Sequence, residues 1–412
     1  MLSAIVINED KKDSEVYFAR LKSVNLDTCV EFIEQKPVPH DGEDAALETC
    51  LQGRINTSFK EGSLGSRPFW HLRIMLSTAD PSTFTAAWFF HHALGDGGCG
   101  PIFHRTLLSA LQDVSVSGNS SEPPNHIVRS PSIPLLPPFE ALHSHPVSWS
   151  LFLRTILGLI LPSVFDPRPP KLWTGPRVTA PDPLPNTKIQ IVTLPAPTTA
   201  KLLKISRENK TTMQATLECC IATAIFLTLP AETYDKIIGT GPISVRSIIK
   251  NDDKPIADDE FVLALAEYTH THMRTSHTAT QFSWDEARAV RASIQAELAK
   301  KGTDNRVSLL RYVSDMHKFY IEKIGQERKI SFELSNLGAL KAEVSGEGVW
   351  KIGKCVFSQS ANVSGPPIVC SAVTGGDGQC VLAFSWLEGV VGEEMMKAVV
   401  EGVEKQVEVL VR

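Results

Sequence analysis

Thr83-Phe84-Thr85-Ala86-Ala87-Trp88-Phe89-Phe90-His91-His92-Ala93-Leu94-Gly95-Asp96-Gly97 is the stretch on which the reading of this chain turns. The run from Thr83 to Phe90 is apolar and aromatic, which predicts a buried strand. Ile102 to Leu111 predicts a helix. The segment between them is therefore a strand-to-helix turn carrying two histidines, an aspartate and several glycines. Histidines at the end of a buried strand are placed to move protons near neutral pH. The glycines are expected to give the turn backbone angles that other residues resist.

Working outward, Pro68 to Leu76 predicts a strand, and the turn at Asp80-Pro81-Ser82 joins it to Thr83–Phe90 as a hairpin. Met1 to Ile7 predicts a strand with nothing before it; Leu26 to Gln35 and Ala45 to Asn56 predict short helices. Val114 to Pro138 and Phe165 to Pro185 are rich in Ser and Pro and read as irregular, with a lobe boundary near Pro185. The expected domains are thus 1–185 and 186–412. In the second, strands are expected at Thr187–Leu194, Lys236–Thr240, Ile243–Arg246, Phe261–His270, Lys329–Leu334, Lys354–Gln359, Ile368–Val373 and Cys380–Leu387, with a turn at Gly241-Pro242. Helices are expected at Thr198–Asn209, Thr211–Phe226, Trp284–Lys300 and Glu393–Leu410. Helices and strands mix without strict alternation, which predicts an α/β fold.

At 412 residues the chain exceeds one ordinary core, so two lobes are expected. The net charge of −5 and the lack of a dense basic cluster argue against nucleic acid. Eight scattered cysteines without a C-x-x-C pair fit a reduced, cytoplasmic protein and give no zinc-ribbon spacing. Met1–Asn8 leads straight into the charged run Glu9-Asp10-Lys11-Lys12, which does not read as a signal peptide. Trp149 to Phe165 is apolar but too short to span a bilayer. It reads as an amphipathic helix covering a core or a tunnel mouth, with weak membrane-surface contact as the alternative.

The loop residues suit acyl transfer. A hydroxyl or amine attacking a thioester must lose a proton as it bonds, and an imidazole with a pKa of about 6.5 is a natural base. His92 is the expected base, with no covalent enzyme intermediate. His91 is expected to pack or orient the loop, and Asp96 to face away from substrate, pair with an arginine and stiffen the turn that Gly97 completes. Ser335 and Asn336, in Ser335-Asn336-Leu337-Gly338, and Ser360 are candidates for donors to the oxyanion, although such residues at strand ends are commonly turn formers.

The pattern His91-His92-x-x-x-Asp96-Gly97 resembles the active-site motif of the coenzyme A-dependent acyltransferase superfamily. That group holds chloramphenicol acetyltransferases, condensation domains and alcohol acyltransferases. Arg67-Pro68-Phe69-Trp70, Phe103 to Leu108, Leu172-Trp173-Thr174-Gly175-Pro176, Ser335 to Gly338 and Phe384 to Gly389 are similar to fungal alcohol acetyltransferase-like proteins. The resemblance implies a two-lobed chloramphenicol acetyltransferase-like fold, with mixed sheets flanked by helices and a tunnel between the lobes. It implies acyl-CoA as co-substrate, no metal, a small-molecule alcohol acceptor and a monomer. It also implies Arg246 as the partner of Asp96, with Arg105 as the local competitor. Family members carry a leading strand and helix ahead of the position of Met1, so an incomplete N-terminal lobe is expected.

Other readings compete. A non-catalytic or truncated relative, binding a small molecule or a partner, would keep the motif. An amide-forming condensation enzyme would share the loop. Gly95-x-Gly97-x-x-Gly100 spells a dinucleotide turn but lacks an acidic residue at the right distance and leaves both histidines unused. His91, His92, Asp96 and His104 are a conceivable metal set, although adjacent histidines rarely point at one ion. His143 with His145 and His270 with His272 are read as ordinary packed or surface histidines, with no acid at a telling distance.

Overall fold

The computed structural model of the chain describes residues 3–7, 16–35, 43–57, 59, 67–117, 125–137, 139–143, 146–165, 167–180, 185–251, 254–255, 259–278, 281–340 and 349–412. The Glu9–Lys12 run and His145 lie outside them. The chain divides into two compact units. The first holds residues 1–139, 257–264 and 343–351; the second holds 140–256, 265–342 and 352–412. Position 185 lies inside the second unit, because Leu172–Trp173 already pairs with the Lys236–Ser244 strand of that unit.

The first unit is built on three strands. Trp70–Ser77 is central, parallel to Val30–Gln35 and antiparallel to Phe84–Phe90. The hairpin is as expected, with Trp70 opposite Phe90. The helix expected over 26–35 does not form: a 3-10 turn, Leu26–Thr28, leads into the Val30–Gln35 strand. Its apolar spacing suits a helix, but parallel pairing along Trp70–Ser77 gives one side of the segment its backbone partners and overrides local preference. Ser3–Ile7 pairs with Val16–Arg20, and Ser23–Asn25 with Ile127–Arg129, a strand inside a stretch expected to be irregular. Helix Cys99–Ser117 starts earlier and ends later than the periodicity suggested.

The second unit carries a seven-stranded mixed sheet. Its order is Leu265–Met273, Lys236–Ser244, Phe332–Ala339, Ile368–Thr374, Cys380–Leu387 and Thr187–Leu194, with Leu172–Trp173 also on Lys236–Ser244. Helix Met213–Thr228 is buried on all sides from Ala215 to Phe226, as its small, apolar composition requires. Leu217, Ile221, Ile225, Phe332, Leu382 and Phe384 share one core with the apolar face of Glu393–Val411.

Several expectations for this unit are corrected. No turn interrupts 241–242; Lys236–Ser244 is one strand. Gly241 is there for close approach, since a Cβ would lie 2.6 Å from the Leu334 carbonyl oxygen. The strand expected from Phe261 begins at Leu265, because residues before it belong to the first unit. The Lys354–Gln359 strand does not form; that segment makes no ladder, and Gln359 instead reaches Glu333. The apolar helix is Trp149–Ile160, followed after Leu161 by Pro162–Phe165. None of its residues is buried, and Trp149 is 78% exposed, so the expected covering of a core by this helix is not met. Among the described residues no helix is long and apolar enough to cross a membrane.

Candidate active site

The histidine loop is held between a strand and a helix of the first unit. Trp88 and Phe90 share one face of the Phe84–Phe90 strand, as residues two apart must. Trp88 stacks on Phe90 at 4.3 Å and on Phe103 of helix Cys99–Ser117 at 4.7 Å, with Phe261 edge-on at 5.8 Å. These offset and edge contacts lock strand and helix together around the loop. The strand ends as His91 N–H donates to the Phe69 carbonyl at 2.9 Å.

His91 and His92 then part. His91 caps the 3-10 turn His92–Leu94, its Nδ1 accepting from Ala93 N–H at 3.2 Å. Its ring packs against Phe69 and Phe59. His92 is exposed, and its Nδ1 lies 3.0 Å from the Gly95 carbonyl oxygen. A carbonyl can only accept, so Nδ1 of the neutral ring carries the hydrogen and Nε2 presents its lone pair outward.

Asp96 is fully buried. Its Oδ1 accepts from Gly98 N–H at 2.9 Å and its Oδ2 from Ala264 N–H at 3.1 Å. Asp96 N–H in turn donates to Val262 C=O at 3.3 Å, and Asp96 C=O accepts from Cys99 N–H at 3.0 Å. One residue thus ties the loop, the start of the helix and the 262–264 segment together. Sequence distance hid that segment, which is 168 residues away. Gly97 sits where the helix begins, its carbonyl accepting from Gly100 N–H.

The glycines serve a different purpose from the one expected. None between 95 and 100 takes left-handed angles, and Gly95 is extended at φ 170. Gly95 is needed because a Cβ would overlap Cys99 Sγ, and Cys99 is itself fully buried. Gly95→Ala is expected to cost about 1–3 kcal/mol by overpacking. Chemical denaturation measures it, and adding Cys99→Ala should restore most of the loss.

Arg246, Ser335, Asn336 and Ser360 lie in the second unit. Arg246 opens the 3-10 turn Arg246–Ile248 and is buried. Ser335 and Asn336 lie on Phe332–Ala339; Ser335 is buried, and Asn336 Oδ1 accepts from Gly338 N–H at 2.8 Å, a turn-forming use. Ser360 is exposed on an irregular segment. His104, on helix Cys99–Ser117, has its ring pushed down to about 4 by burial.

A second group of polar residues lies within the second unit, and the reading of His270 and His272 as lacking an acid is corrected there. His270 Nε2 and His272 Nδ1 lie 3.2 and 3.0 Å from Glu286 Oε1, and His277 Nε2 lies 3.6 Å from the same oxygen. Glu286 is supplied by the first turn of helix Trp284–Ala299. His272 Nε2 lies 3.2 Å from Glu218 Oε1, and Tyr268 donates to the other oxygen of Glu218. Burial alone would raise the Glu286 carboxyl, but the three imidazoles hold it well below the usual carboxylate range. Burial would lower His272, yet hydrogen bonds to both carboxylates raise it. Burial lowers His277. The alternation His270, His272 on one strand face was the only hint of this cluster in the sequence.

A family profile described as alcohol acetyltransferase matches residues 44–407. The chain is 30% identical over 422 residues to "Probable alcohol acetyltransferase crmB" of Aspergillus fumigatus, covering 99% of this chain and 87% of that one. It is 24% identical to "Probable alcohol acetyltransferase FCK4" of Fusarium pseudograminearum, covering 97% and 81%. The solved TRI3 trichothecene 15-O-acetyltransferase of Fusarium sporotrichioides superposes with a TM-score of 0.62 at 13% identity, over 99% of this chain and 83% of that one. The first condensation domain of the calcium-dependent antibiotic synthetase does so at 0.60 and 11%, over 99% and 84%. The last two likenesses carry the fold, and the expected chloramphenicol acetyltransferase-like α/β class is borne out. With a profile spanning nearly the whole chain and a relative at 30% identity, this chain belongs to the alcohol acetyltransferase family of acyltransferases.

Proposed function

We propose that the protein transfers an acetyl or other acyl group from acyl-CoA to the hydroxyl of a small alcohol, with His92 as general base and no covalent enzyme intermediate. The reading rests chiefly on the His92 Nδ1 to Gly95 carbonyl contact, which fixes the tautomer a base needs. Membership of the alcohol acetyltransferase family supports the reaction class, and the names of its relatives support an acetyl group.

In this scheme the alcohol O–H gives its proton to His92 Nε2 while the oxygen bonds to the thioester carbonyl carbon. The tetrahedral oxyanion collapses, the carbon–sulfur bond breaks, and Nε2–H of the imidazolium protonates the departing thiolate. An ester and free coenzyme A result, and the ring returns to its starting tautomer. The Gly95 carbonyl accepts Nδ1–H throughout, which favours the imidazolium as it forms. Asp96 acts as a positioning residue: it fixes the turn that carries Gly95 and so the ring.

The test is acetyl-CoA with a panel of primary alcohols, following free thiol and ester together. One ester per thiol released is expected, and amines in place of alcohols should give little product. A folded protein that releases no thiol with any alcohol would favour the non-catalytic relative; amide products would favour a condensation enzyme.

A further inference from the structure

We infer that His270, His272, His277 and Glu286 form a binding site for one divalent transition metal ion, with zinc favoured by three imidazole nitrogens and one carboxylate. The site lies wholly in the second unit and is independent of the acyl-transfer reading.

Three ring nitrogens, two from strand Leu265–Met273 and one from just after the 3-10 turn that follows it, point at one oxygen, Glu286 Oε1, at 3.0, 3.2 and 3.6 Å. In a tetrahedral site with bonds of about 2.0–2.1 Å, neighbouring ligand atoms lie roughly 3.3 Å apart. The ligand atoms of His270, His272 and Glu286 all fall within 4.8 Å of one another.

Metal-bound histidines commonly direct their other nitrogen at a fixed polar partner, which sets tautomer and ring angle. All three histidines do so here. His270 Nδ1 lies 2.9 Å from Ser293 Oγ, His272 Nε2 lies 3.2 Å from Glu218, and His277 Nδ1 lies 2.9 Å from Thr223 Oγ1. Glu218 is itself held by Tyr268.

One buried nitrogen, His277 Nε2, is left over among the described residues. Thr223 spends its one hydroxyl hydrogen on the Cys219 carbonyl at 2.8 Å, so it accepts from His277 Nδ1–H. A neutral His277 therefore presents a bare Nε2. His277 is only 7% exposed, and among the described residues that atom has no hydrogen-bond partner. It faces the lone pairs of Glu286 Oε1, and two acceptors so placed call for a cation between them. His270 and Glu286 keep 13% and 11% of their side chains at the surface, which leaves a route for entry.

On binding, His272, which carries a hydrogen on each nitrogen toward Glu286 and Glu218, loses its Nδ1 proton to solvent and keeps Nε2–H donating to Glu218, and His270 shifts its hydrogen to Nδ1, toward Ser293. One proton is released per ion, so affinity rises with pH. Four protein ligands and no open position make the site structural: the ion would pin strand Leu265–Met273 to helix Trp284–Ala299.

The test strips the whole chain with a chelator, dialyses it, and adds zinc alone. We expect one zinc per chain by elemental analysis, a raised thermal midpoint, and the visible bands of tetrahedral cobalt when cobalt replaces zinc. His270→Ala and Glu286→Gln should each weaken zinc at least tenfold in chelator competition, and Thr223→Val roughly 10–100-fold. His270 lies nearest the surface, so His270→Ala decides the matter where a deeper variant does not fold. A folded wild-type chain that takes up no stoichiometric zinc, or a His270→Ala chain that binds it as tightly as wild type, overturns the site.

Discussion

His92→Ala is expected to lower kcat by roughly 10²–10⁴-fold, the usual worth of a positioned general base. That is about 2.7–5.5 kcal/mol of transition-state stabilisation. Stability should hardly change, because the side chain is exposed and its hydrogen bond to Gly95 lies within the same turn. KM for acetyl-CoA should move much less than kcat, since the role proposed for the ring is proton transfer rather than holding the thioester. The measurement is steady-state turnover by free thiol, paired with thermal denaturation. Turnover within a few-fold of wild type in a folded His92→Ala protein removes His92 from the base role. His91→Ala gives the contrast: its ring packs on Phe69 and caps the 3-10 turn, so its loss should lower stability as well as rate.

Asp96→Ala should have the largest effect on stability among the loop variants. The carboxylate is fully buried and accepts from Gly98 N–H and Ala264 N–H. Alanine would strand both donors, and each stranded buried donor costs about 1–3 kcal/mol. A total of roughly 2–6 kcal/mol is expected in the unfolding free energy. Asp96→Asn keeps one acceptor but turns an N–H₂ toward the second donor, so it should lie between wild type and Asp96→Ala. Hydrogen exchange gives the specific readout: the Ala264 amide should lose protection in both variants. Turnover should fall with it, because the same carboxylate fixes the turn that presents Gly95 to His92. An Asp96→Ala chain with wild-type stability and a protected Ala264 amide would show that the loop is held some other way.

The loop shows why part of this protein was legible from its sequence. The aromatic strand, the histidine pair and the helix after it are consecutive, and the decisive His92–Gly95 contact spans three residues. The Trp70–Phe90 hairpin is likewise a local event. The buried helix Met213–Thr228 declared itself through composition. The failures share a cause. Residues 26–35 have helical spacing, but a parallel ladder with Trp70–Ser77, about forty residues on, decides their form. Gly95 was credited with backbone freedom, when its need is set by the Cys99 side chain packed against it. Trp149–Ile160 has the pattern of a helix that covers something, yet pattern alone does not say whether anything lies beneath.

The sequence by itself therefore determined the class of fold and the family, because the histidine motif and the strand and helix beside it are consecutive in the chain. Only the tertiary structure decided what Asp96 grips and what His270, His272 and His277 surround. Ala264 reaches Asp96 across 168 residues, and Glu286 reaches the three histidines from a separate helix. Such contacts depend on how strands and helices stack, and the spacing of residues along a chain does not record that.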